Sequence, residues 1–471
     1  MPARFSSPLP SWIALTLAAG LAISIAAPRG FAAPLATTKA APRPTSVPKH
    51  GALAAAVPFI DDDLARALSL AKQRKAPVFV EAWAPWCHTC RSMRAYVFTD
   101  PTLARHAERF VWLSVDAENS VNAEVRKRYP LPALPSYYVI DPNTEKVTMR
   151  MVGSMTVTQL HHFLDQAIVS WTQHGEASPA DRALARADSL YGEGQDSLAA
   201  EAYRGAIALA PANWPSYSRA IDALLFALSN TNQNQAVVDV AGVAWTRLEG
   251  QSTSANVAAY GLSSAVALPD SNPEKQRSVA HFERAVRSIL ADSKLDLAGD
   301  DRSGVYISLL DALQERGDST AAHQVAIEWS AFLDGAAAKA KTPDARAVFD
   351  SHRLSAYLEL GTPEKAVPML EASERDLPQD YNPPARLATA LRAMKRYDTA
   401  LAASDRAMAL AYGPRRFLLW RTRIGILTDR GDPADTRSAL AQAISEAESM
   451  PESQRSTRTI DGFKKQLAEL K

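Results

Sequence analysis

The chain contains two cysteines, Cys87 and Cys90, and they stand three positions apart. An apolar run over 78–80 predicts a strand before them, and the pattern after them predicts a helix that opens at the motif. A thiol in the first turn of a helix faces unpaired backbone N–H groups and the positive end of the helix dipole, and both stabilise the thiolate. We therefore expect Cys87 to be an accessible attacking thiol with a lowered pKa. Cys90, one turn further in, would be the shielded resolving thiol of a redox-active Cys87–Cys90 disulfide.

His88 lies between the two cysteines and is a candidate for tuning the pKa of Cys87. A partly cationic imidazole beside a thiolate lowers the thiol pKa. A solvated turn histidine is the alternative interpretation of the same residue.

Two other uses of such a motif are a structural crosslink and a metal site. So small a disulfide loop removes little unfolded-state entropy and would stabilise the fold weakly. A structural zinc ion takes four ligands, whereas the chain has no second cysteine pair, and a site built from Cys87, Cys90 and His88 is geometrically awkward. Covalent haem needs a histidine where Arg91 stands. We expect neither a metal nor an organic cofactor.

Strand and helix patterns alternate on both sides of the motif. After an amphipathic helix that starts near residue 64, strands are predicted over 78–80, 110–115, 136–140 and 146–151. Helices are predicted over 87–98, 119–129 and 156–171. This order predicts a βαβ unit followed by a ββα unit on one sheet.

The run from Trp83 to Cys90, Trp-Ala-Pro-Trp-Cys-His-Thr-Cys, resembles the active-site segment of the thioredoxin superfamily. The later run Phe98-Thr-Asp-Pro101 is similar to the C-terminal thioredoxin-like domain of the DsbD type of thiol:disulfide interchange protein. The resemblance covers residues 57–175 and implies an α/β fold with a central mixed sheet flanked by helices. It implies a protein-disulfide reductase or oxidoreductase that acts on protein thiols or disulfides. The middle dipeptide His-Thr does not fix the redox direction.

The same resemblance assigns roles to four residues near the motif. Glu81 falls where the family has a buried acid, commonly Asp, that assists proton transfer with the resolving thiol. Trp86 matches a flanking aromatic residue. Pro135 matches a cis-proline that faces the disulfide, and the backbone of Leu134 before it would pair with substrate. Glu81 therefore joins the two cysteines as a catalytic candidate, and Trp86, Leu134 and Pro135 are substrate-binding candidates.

The N-terminal residues predict export. Residues 1–33 carry Arg4, an apolar run and small residues, which is the pattern of a secretory signal peptide, and residues 34–56 form an Ala/Pro-rich linker. An uncleaved N-terminal membrane anchor is the alternative. Either way we expect the rest of the chain outside the cytoplasm, in the periplasm if the source is a bacterium.

Residues 178–471 predict an all-α solenoid of tetratricopeptide-like repeats. Turns lead to Ala366, Ala400 and Ala434, which recur at intervals of 34 residues. A similar pattern surrounds Ala199 and Ala322, whereas residues 214–302 are helical without a clear register. Stacked hairpins form a concave surface, so we expect the array to bind a protein partner that the sequence does not identify.

Charge argues against a nucleic-acid partner, because 52 basic residues face 51 acidic ones and the formal net charge is +1. The upstream redox partner that recharges the disulfide is unknown from sequence. A second hypothesis makes the protein an interaction scaffold or chaperone-like module in which the repeats carry the function and redox activity is incidental.

Overall fold

Residues 59–172 build a five-stranded mixed sheet with helices on both faces. The structure, a computed structural model of the protein, describes residues 55–131, 133–172 and 177–470. The predicted signal peptide, nearly all of the predicted linker and the segment 173–176 lie outside the described residues. The strands are β1 Phe59–Asp61, β2 Val78–Trp83, β3 Val111–Asp116, β4 Ser136–Ile140 and β5 Val147–Val152. The helices are α1 Leu64–Arg74, α2 His88–Ser92, α3 Ala123–Arg128 and α4 Val157–Thr172.

The sheet has the order β1-β3-β2-β4-β5 and places β2 in its centre. β2 pairs in parallel with β3 and antiparallel with β4, and β5 closes the other edge as the hairpin partner of β4. Alternation along β2 sends Val78 and Val80 to the face covered by α1, whereas Phe79 packs with Trp112 and Phe163 on the face covered by α4. The central strand is therefore buried on both sides and ends at the cysteine motif.

The predicted elements of this part agree with the structure in type and differ at their ends. The helix predicted over 87–98 consists of α2 and a π-helical segment, Met93–Val97. The edge strand β1 was not predicted, because three residues carry too short a pattern to be distinguished from a loop.

Sixteen helices, α5 to α20, follow from Pro179 onward. They pack as successive antiparallel hairpins, each helix against the next along the chain. In order they are α5 Pro179–Gly192, α6 Asp196–Leu209, α7 Tyr217–Asn230, α8 Asn234–Leu248, α9 Ser254–Val266, α10 Lys275–Ala291, α11 Gly299–Glu315, α12 Ser319–Lys339, α13 Pro343–Ala347, α14 Asp350–Glu359, α15 Ala366–Asp376, α16 Asn382–Ala393, α17 Tyr397–Leu410, α18 Arg416–Arg430, α19 Pro433–Ser449 and α20 Thr457–Glu469.

The predicted repeat register corresponds to the second helix of each hairpin. Ala366, Ala400 and Ala434 lie in α15, α17 and α19, and the first two are fully buried. At Ala366 and Ala400 the buried alanine lets the two helices of a hairpin approach closely. Ala434, at the same interval, is exposed and does not take that place. The stretch 214–302, where no register was assigned, holds the hairpins α7/α8 and α9/α10. The prediction of a tetratricopeptide-like array is confirmed.

The first helices of the hairpins form one face of the array, here called the inner face, and this face packs against the thioredoxin-like part of the chain. α5 and α7 contact β5, while α11 and α13 contact α2. Hydrogen bonds continue the interface from Ser216, before α7, to Gln454, in the turn before α20. The surface expected to take a partner is thus occupied by the protein's own N-terminal part.

Membrane-spanning helices are not found among the described residues, where each helix is too short or too polar to cross a bilayer.

Candidate active site

Cys87 and Cys90 form a disulfide at the start of α2. Cys87 is the N-cap residue of this helix, and its Sγ accepts a hydrogen bond from the backbone N–H of Cys90 at 3.1 Å. The motif follows the central strand β2 after the short turn 84–86, so the sulfurs lie near the carboxyl end of β2. This is the helix-start environment that stabilises a thiolate once the disulfide is reduced.

The accessibility expected for Cys87 is wrong for this arrangement. Cys87 is 4% exposed and Cys90 is 0% exposed. Both pack in a small apolar cluster with Trp83, Ala84 and the flanking Trp86 and Leu134. Burial at Cys90 agrees with the expected shielded thiol. At Cys87 it means that neighbouring groups cover the residue in this arrangement.

The Leu134–Pro135 peptide bond is cis, as the resemblance implies. Leu134 belongs to the cluster around the disulfide, and Pro135 is buried next to it. The carbonyl of Pro135 accepts a hydrogen bond from the N–H of Gly153 at 3.0 Å, which ties the loop to the end of β5. The structure therefore brings the predicted substrate-binding residues Trp86, Leu134 and Pro135 together with the cysteines.

Glu81 is fully buried on β2, on the sheet face that α2 covers, and is already paired. Its Oε2 accepts from the Nε of Arg94 at 3.1 Å, and the guanidinium of Arg94 also lies over the ring of Trp83, 3.6 Å from its centroid. Burial raises the pKa of Glu81, although Arg94 opposes this. The other oxygen, Oε1, has no hydrogen-bond partner. Glu81 thus has one free buried oxygen that could carry a proton.

His88 turns away from the domain that carries it and contacts α11 of the array. Its Nδ1 lies 2.8 Å from Oδ1 of Asp300, and Thr89 donates from its hydroxyl to Oδ2 of the same carboxylate at 2.7 Å. Asp300 is 4% exposed. Burial alone would raise its pKa, but His88, His352 and the hydrogen bonds lower it to about 2. The carboxylate is therefore ionised at neutral pH.

A second histidine, His352 on α14 of the array, stacks at a tilt against His88 with ring centroids 4.1 Å apart. Trp329 donates from Nε1 to the hydroxyl oxygen of Ser303 at 2.6 Å, and the same oxygen lies 2.8 Å from Nδ1 of His352. Burial and the neighbouring His88 lower the pKa of His352 to about 3. His352 is therefore neutral at neutral pH.

The opposite end of α2 is also attached to the array. Arg91 forms an ion pair with the buried carboxylate of Asp380. Asn382, at the start of α16, donates from Nδ2 to the carbonyl of Pro85 at 3.1 Å and also bonds Asp380. These contacts fix the turn before the motif and the helix after it.

Trp86 is held between the two parts of the chain. Its Nε1 donates to Oε1 of Glu118 at 2.8 Å, and the guanidinium of Arg415 lies 4.5 Å from the ring centroid. The backbone N–H of Arg415 donates to the other oxygen of Glu118 at 2.7 Å, and Tyr412 donates to Asp116 at 2.5 Å. The aromatic residue predicted to bind substrate is thus also a contact between the domains.

One group of metal-ligand side chains occurs among the described residues, and it adjoins the motif. Ligand atoms of His88, Asp300 and His352 lie within 4.8 Å of one another. Each of these atoms already lies at hydrogen-bond distance from a partner, since His88 faces Asp300 and Ser303 faces His352. We interpret the group as a hydrogen-bonded chain and assign it no metal.

Sequence analysis missed every array residue of this site. Asp300 is followed by Asp301 in the first turn of α11, where acidic residues are ordinary for a helix start. Nothing in the local pattern indicates a partner 212 residues earlier in the chain. The burial of Asp300 would have indicated a partner. Burial cannot be inferred from the sequence here, because this segment shows no repeat register.

Comparison with known proteins adds to this geometry. A protein-family model described as thioredoxin-like matches residues 60–142, which include β2, the motif and β4. This part of the chain is a thioredoxin-like domain. The predicted fold of a thioredoxin-like domain followed by an all-α repeat array is therefore established.

Two curated relatives are similar to a minor part of the chain. The thiol:disulfide interchange protein DsbD of Vibrio vulnificus strain CMCP6 is 40% identical over 55 residues, which are 12% of this chain and 9% of that protein. DsbD 2 of Pseudomonas aeruginosa strain PAO1 is 33% identical over 96 residues, 20% of this chain and 16% of that protein. The chain thus spans less than a fifth of the length of these relatives.

Two solved structures show weak overall likeness. A thioredoxin from Thermus thermophilus is 27% identical with a TM-score of 0.24, and covers 26% of this chain and 94% of its own. PilF of Pseudomonas aeruginosa is 14% identical with a TM-score of 0.28, and covers 61% of this chain and 97% of its own. At these scores neither bears on function.

The arrangement suits one kind of chemistry, which is transfer of a disulfide between thiol pairs. The thioredoxin-like domain and its relatives indicate a thiol oxidoreductase in this broad sense.

Proposed function

We propose that the protein is an exported thiol:disulfide oxidoreductase that exchanges the Cys87–Cys90 disulfide with cysteine pairs of other proteins. The observation that supports this most directly is the placement of the disulfide at the start of α2 in one cluster with Leu134, beside the cis Leu134–Pro135 bond. A purely structural crosslink has no use for this loop.

The proposed exchange proceeds in two balanced steps. In the reducing direction the Cys87 thiolate attacks one sulfur of a client disulfide, so a Cys87–client bond forms while the client disulfide breaks and releases a thiolate that takes up a proton. Cys90, once deprotonated, attacks Cys87, restores the Cys87–Cys90 disulfide and releases the second client thiol. The oxidising direction is the reverse. Glu81 is proposed to take the Cys90 proton on its unpaired oxygen, and Trp86, Leu134 and Pro135 to contact the client.

Capture of the mixed disulfide tests this proposal. Because the chain has two cysteines, Cys90→Ser leaves Cys87 as the single thiol and removes the group that resolves the intermediate. We expect this variant to accumulate adducts with a disulfide-bonded test protein that dithiothreitol releases, while Cys87→Ser forms none. Equal adduct formation by the two variants, or none by either, would contradict the assignment.

Export rests on residues 1–33 and is a proposal of its own. Cell fractionation of the full chain and mass determination of its N-terminus would distinguish a cleaved signal peptide from an N-terminal anchor. Full-length protein in the cytoplasm would contradict both.

The array is proposed to bind a partner protein, and the structure changes where that partner would bind. The inner face holds the thioredoxin-like domain through Asp300, Asp380 and Arg415. A partner must therefore use another surface of the array or separate the two domains. A scaffold in which the redox site is incidental is the less favoured alternative, because the array bonds directly to the motif. Full cellular activity of a Cys87→Ser variant would support that alternative.

A further inference from the structure

The array contributes a charged group to the immediate surroundings of the redox motif. Asp300 accepts from the residue that follows Cys87 and from the residue after that. We propose that Asp300 is a positioning residue of the exchange reaction. It holds His88 as a cation beside Cys87, so that the imidazolium stabilises the Cys87 thiolate of the reduced site. This inference rests on the proposed function and deepens it.

The first step of the argument is that Asp300 needs a cation. A carboxylate that is almost fully buried is costly unless a positive group compensates it. His352 is not that group, because burial keeps it neutral and its Nδ1 lies 3.6 Å from Asp300, beyond hydrogen-bond distance. The neighbouring Arg302 is used by backbone carbonyls, among them those of Ile289 and Asp292.

His88 is the group that remains. Its Nδ1 lies 2.8 and 3.0 Å from the two oxygens of Asp300, which places a proton between them. Thr89 adds a hydroxyl donor but no charge. A protonated His88 therefore compensates Asp300, in the way that the carboxylate of a catalytic triad orients and stabilises an imidazolium.

The second step concerns the thiolate. His88 is the first residue of α2 and Cys87 is its N-cap, so a cation on His88 adds to the helix-start field that acts on the sulfur. An imidazolium near a thiolate lowers the thiol pKa. The negative charge of Asp300 itself would raise the Cys87 pKa. Whether removal of Asp300 raises or lowers the Cys87 pKa therefore shows whether His88 or Asp300 controls the thiol.

Other charged groups face this region and enter the pH dependence. On the array they are Asp301, Asp350, His352, Asp380 and Arg386, and on the thioredoxin-like domain they are Arg91, Glu81 and Arg94. Asp380 gives a matched control, since it also reaches α2 from the array but pairs with Arg91 and not with His88.

The test measures the Cys87 pKa in the full chain with Cys90→Ser, where a single thiol absorbs as thiolate. Asp300→Asn should raise this pKa by about one unit, so that the thiolate fraction well below the pKa falls about tenfold. His88→Gln should raise it similarly, and adding Asp300→Asn to His88→Gln should produce no further rise. Asp380→Asn should not raise the Cys87 pKa, because this substitution leaves Arg91 without its anionic partner and a cation does not raise the pKa of a nearby thiol.

Three results would overturn the inference. A lower Cys87 pKa in Asp300→Asn would show that Asp300 acts by its own charge. An unchanged Cys87 pKa in Asp300→Asn would show that Asp300 is only a contact between the two domains. One equivalent of zinc bound by the wild-type chain and lost in Asp300→Asn would show that a metal, and not a proton, lies between His88 and Asp300.

The side chain of His88 is 38% exposed, so His88→Gln is expected to fold and keeps the test decisive should Asp300→Asn destabilise the chain. Failure of the proposed function is recognised separately, because mixed-disulfide capture by Cys90→Ser is measured with Asp300 intact.

Discussion

Two buried carboxylates lie on opposite sides of the redox motif, and they are compensated in different ways. Glu81, on the strand side, faces Arg94, whose charge is permanent. Asp300, on the array side, faces His88, an imidazole that is charged only when protonated. The pKa of Glu81 is raised by burial, whereas that of Asp300 is lowered to about 2. The strand side thus pairs its carboxylate with a permanent cation, and the array side pairs its carboxylate with a group whose charge depends on protonation.

The largest expected effect comes from removing the fixed cation of the strand side. Arg94→Met leaves the Glu81 carboxylate buried without its partner, and we expect the free energy of unfolding to fall by about 3 to 5 kcal/mol. Burial already places the pKa of Glu81 above its unfolded value, so the protonated form favours the folded state. The loss should therefore be small at low pH and grow as pH rises through the folded pKa. Urea unfolding of the full chain at several pH values measures both.

The matched control for this change is Arg94→Met in a Glu81→Gln background. Without a carboxylate to leave unpaired, the same substitution should cost much less. An equal cost in both backgrounds would mean that Arg94 stabilises the fold through Trp83 and Ser114 instead.

The contact between the array and the thioredoxin-like domain can be disrupted without removing a charged group. Gly413 has φ of +63°, and a Cβ there would lie 2.5 Å from the backbone oxygen of Glu118. A left-handed non-glycine residue costs roughly 1 to 2 kcal/mol, and overpacking adds about 1 kcal/mol or more. We expect Gly413→Ala to lower the free energy of unfolding by about 2 to 3 kcal/mol in total.

Gly431→Ala separates the two parts of that cost. Gly431 has φ of +78° and open space around the Cβ position, so its substitution carries the backbone strain alone. The urea midpoint of Gly413→Ala should fall below that of Gly431→Ala. Identical midpoints would indicate that the loop around Gly413 moves away from Glu118 at no cost.

A smaller effect sharpens the comparison through pH. Asp116 accepts from Tyr412 of the array, and burial raises its pKa to about 7, with Asp62 and Glu118 nearby. The folded state therefore binds a proton that the unfolded state has released, and this stabilisation is lost as pH rises through 7. Asn cannot titrate, so Asp116→Asn should gain about 2 kcal/mol relative to the wild type between pH 5 and pH 8.

Tyr412→Phe is the control for this prediction. It removes the hydroxyl donor, which lowers the pKa of Asp116, but keeps the buried carboxyl group. Its unfolding free energy should therefore still fall with rising pH, over a range that extends to higher pH than in the wild type. A flat profile in Tyr412→Phe would assign the titration to the contact with the array and not to burial.

Sequence reasoning reached the strand side of the site and not the array side, for a physical reason. Glu81, Cys87 and Cys90 lie within ten residues, and strand, turn and helix patterns place such neighbours directly. The loop at Pro135 was located by resemblance to a family whose motif includes it. The pairing of His88 with Asp300 depends on how two separately folded patterns pack, and neither pattern encodes that packing.

The array shows the same limit. Its period was visible at Ala366, Ala400 and Ala434, because hairpin packing repeats locally along the chain. Which face would be covered, and by what, was not visible. The inner face was expected to be free for a partner, whereas it holds the domain that carries the disulfide.

Occupation of the inner face changes how the array is expected to unfold. In a simple repeat stack each hairpin touches only its neighbours, so the ends fray first and the chain melts in pieces. Here one globular domain bonds to Ser216 near one end of the stack and to Gln454 near the other. Hairpins that never touch one another are thereby linked through a shared neighbour. Amide hydrogens of the terminal and central helices should then exchange with similar protection, as in a single cooperative unit rather than a string of independent ones.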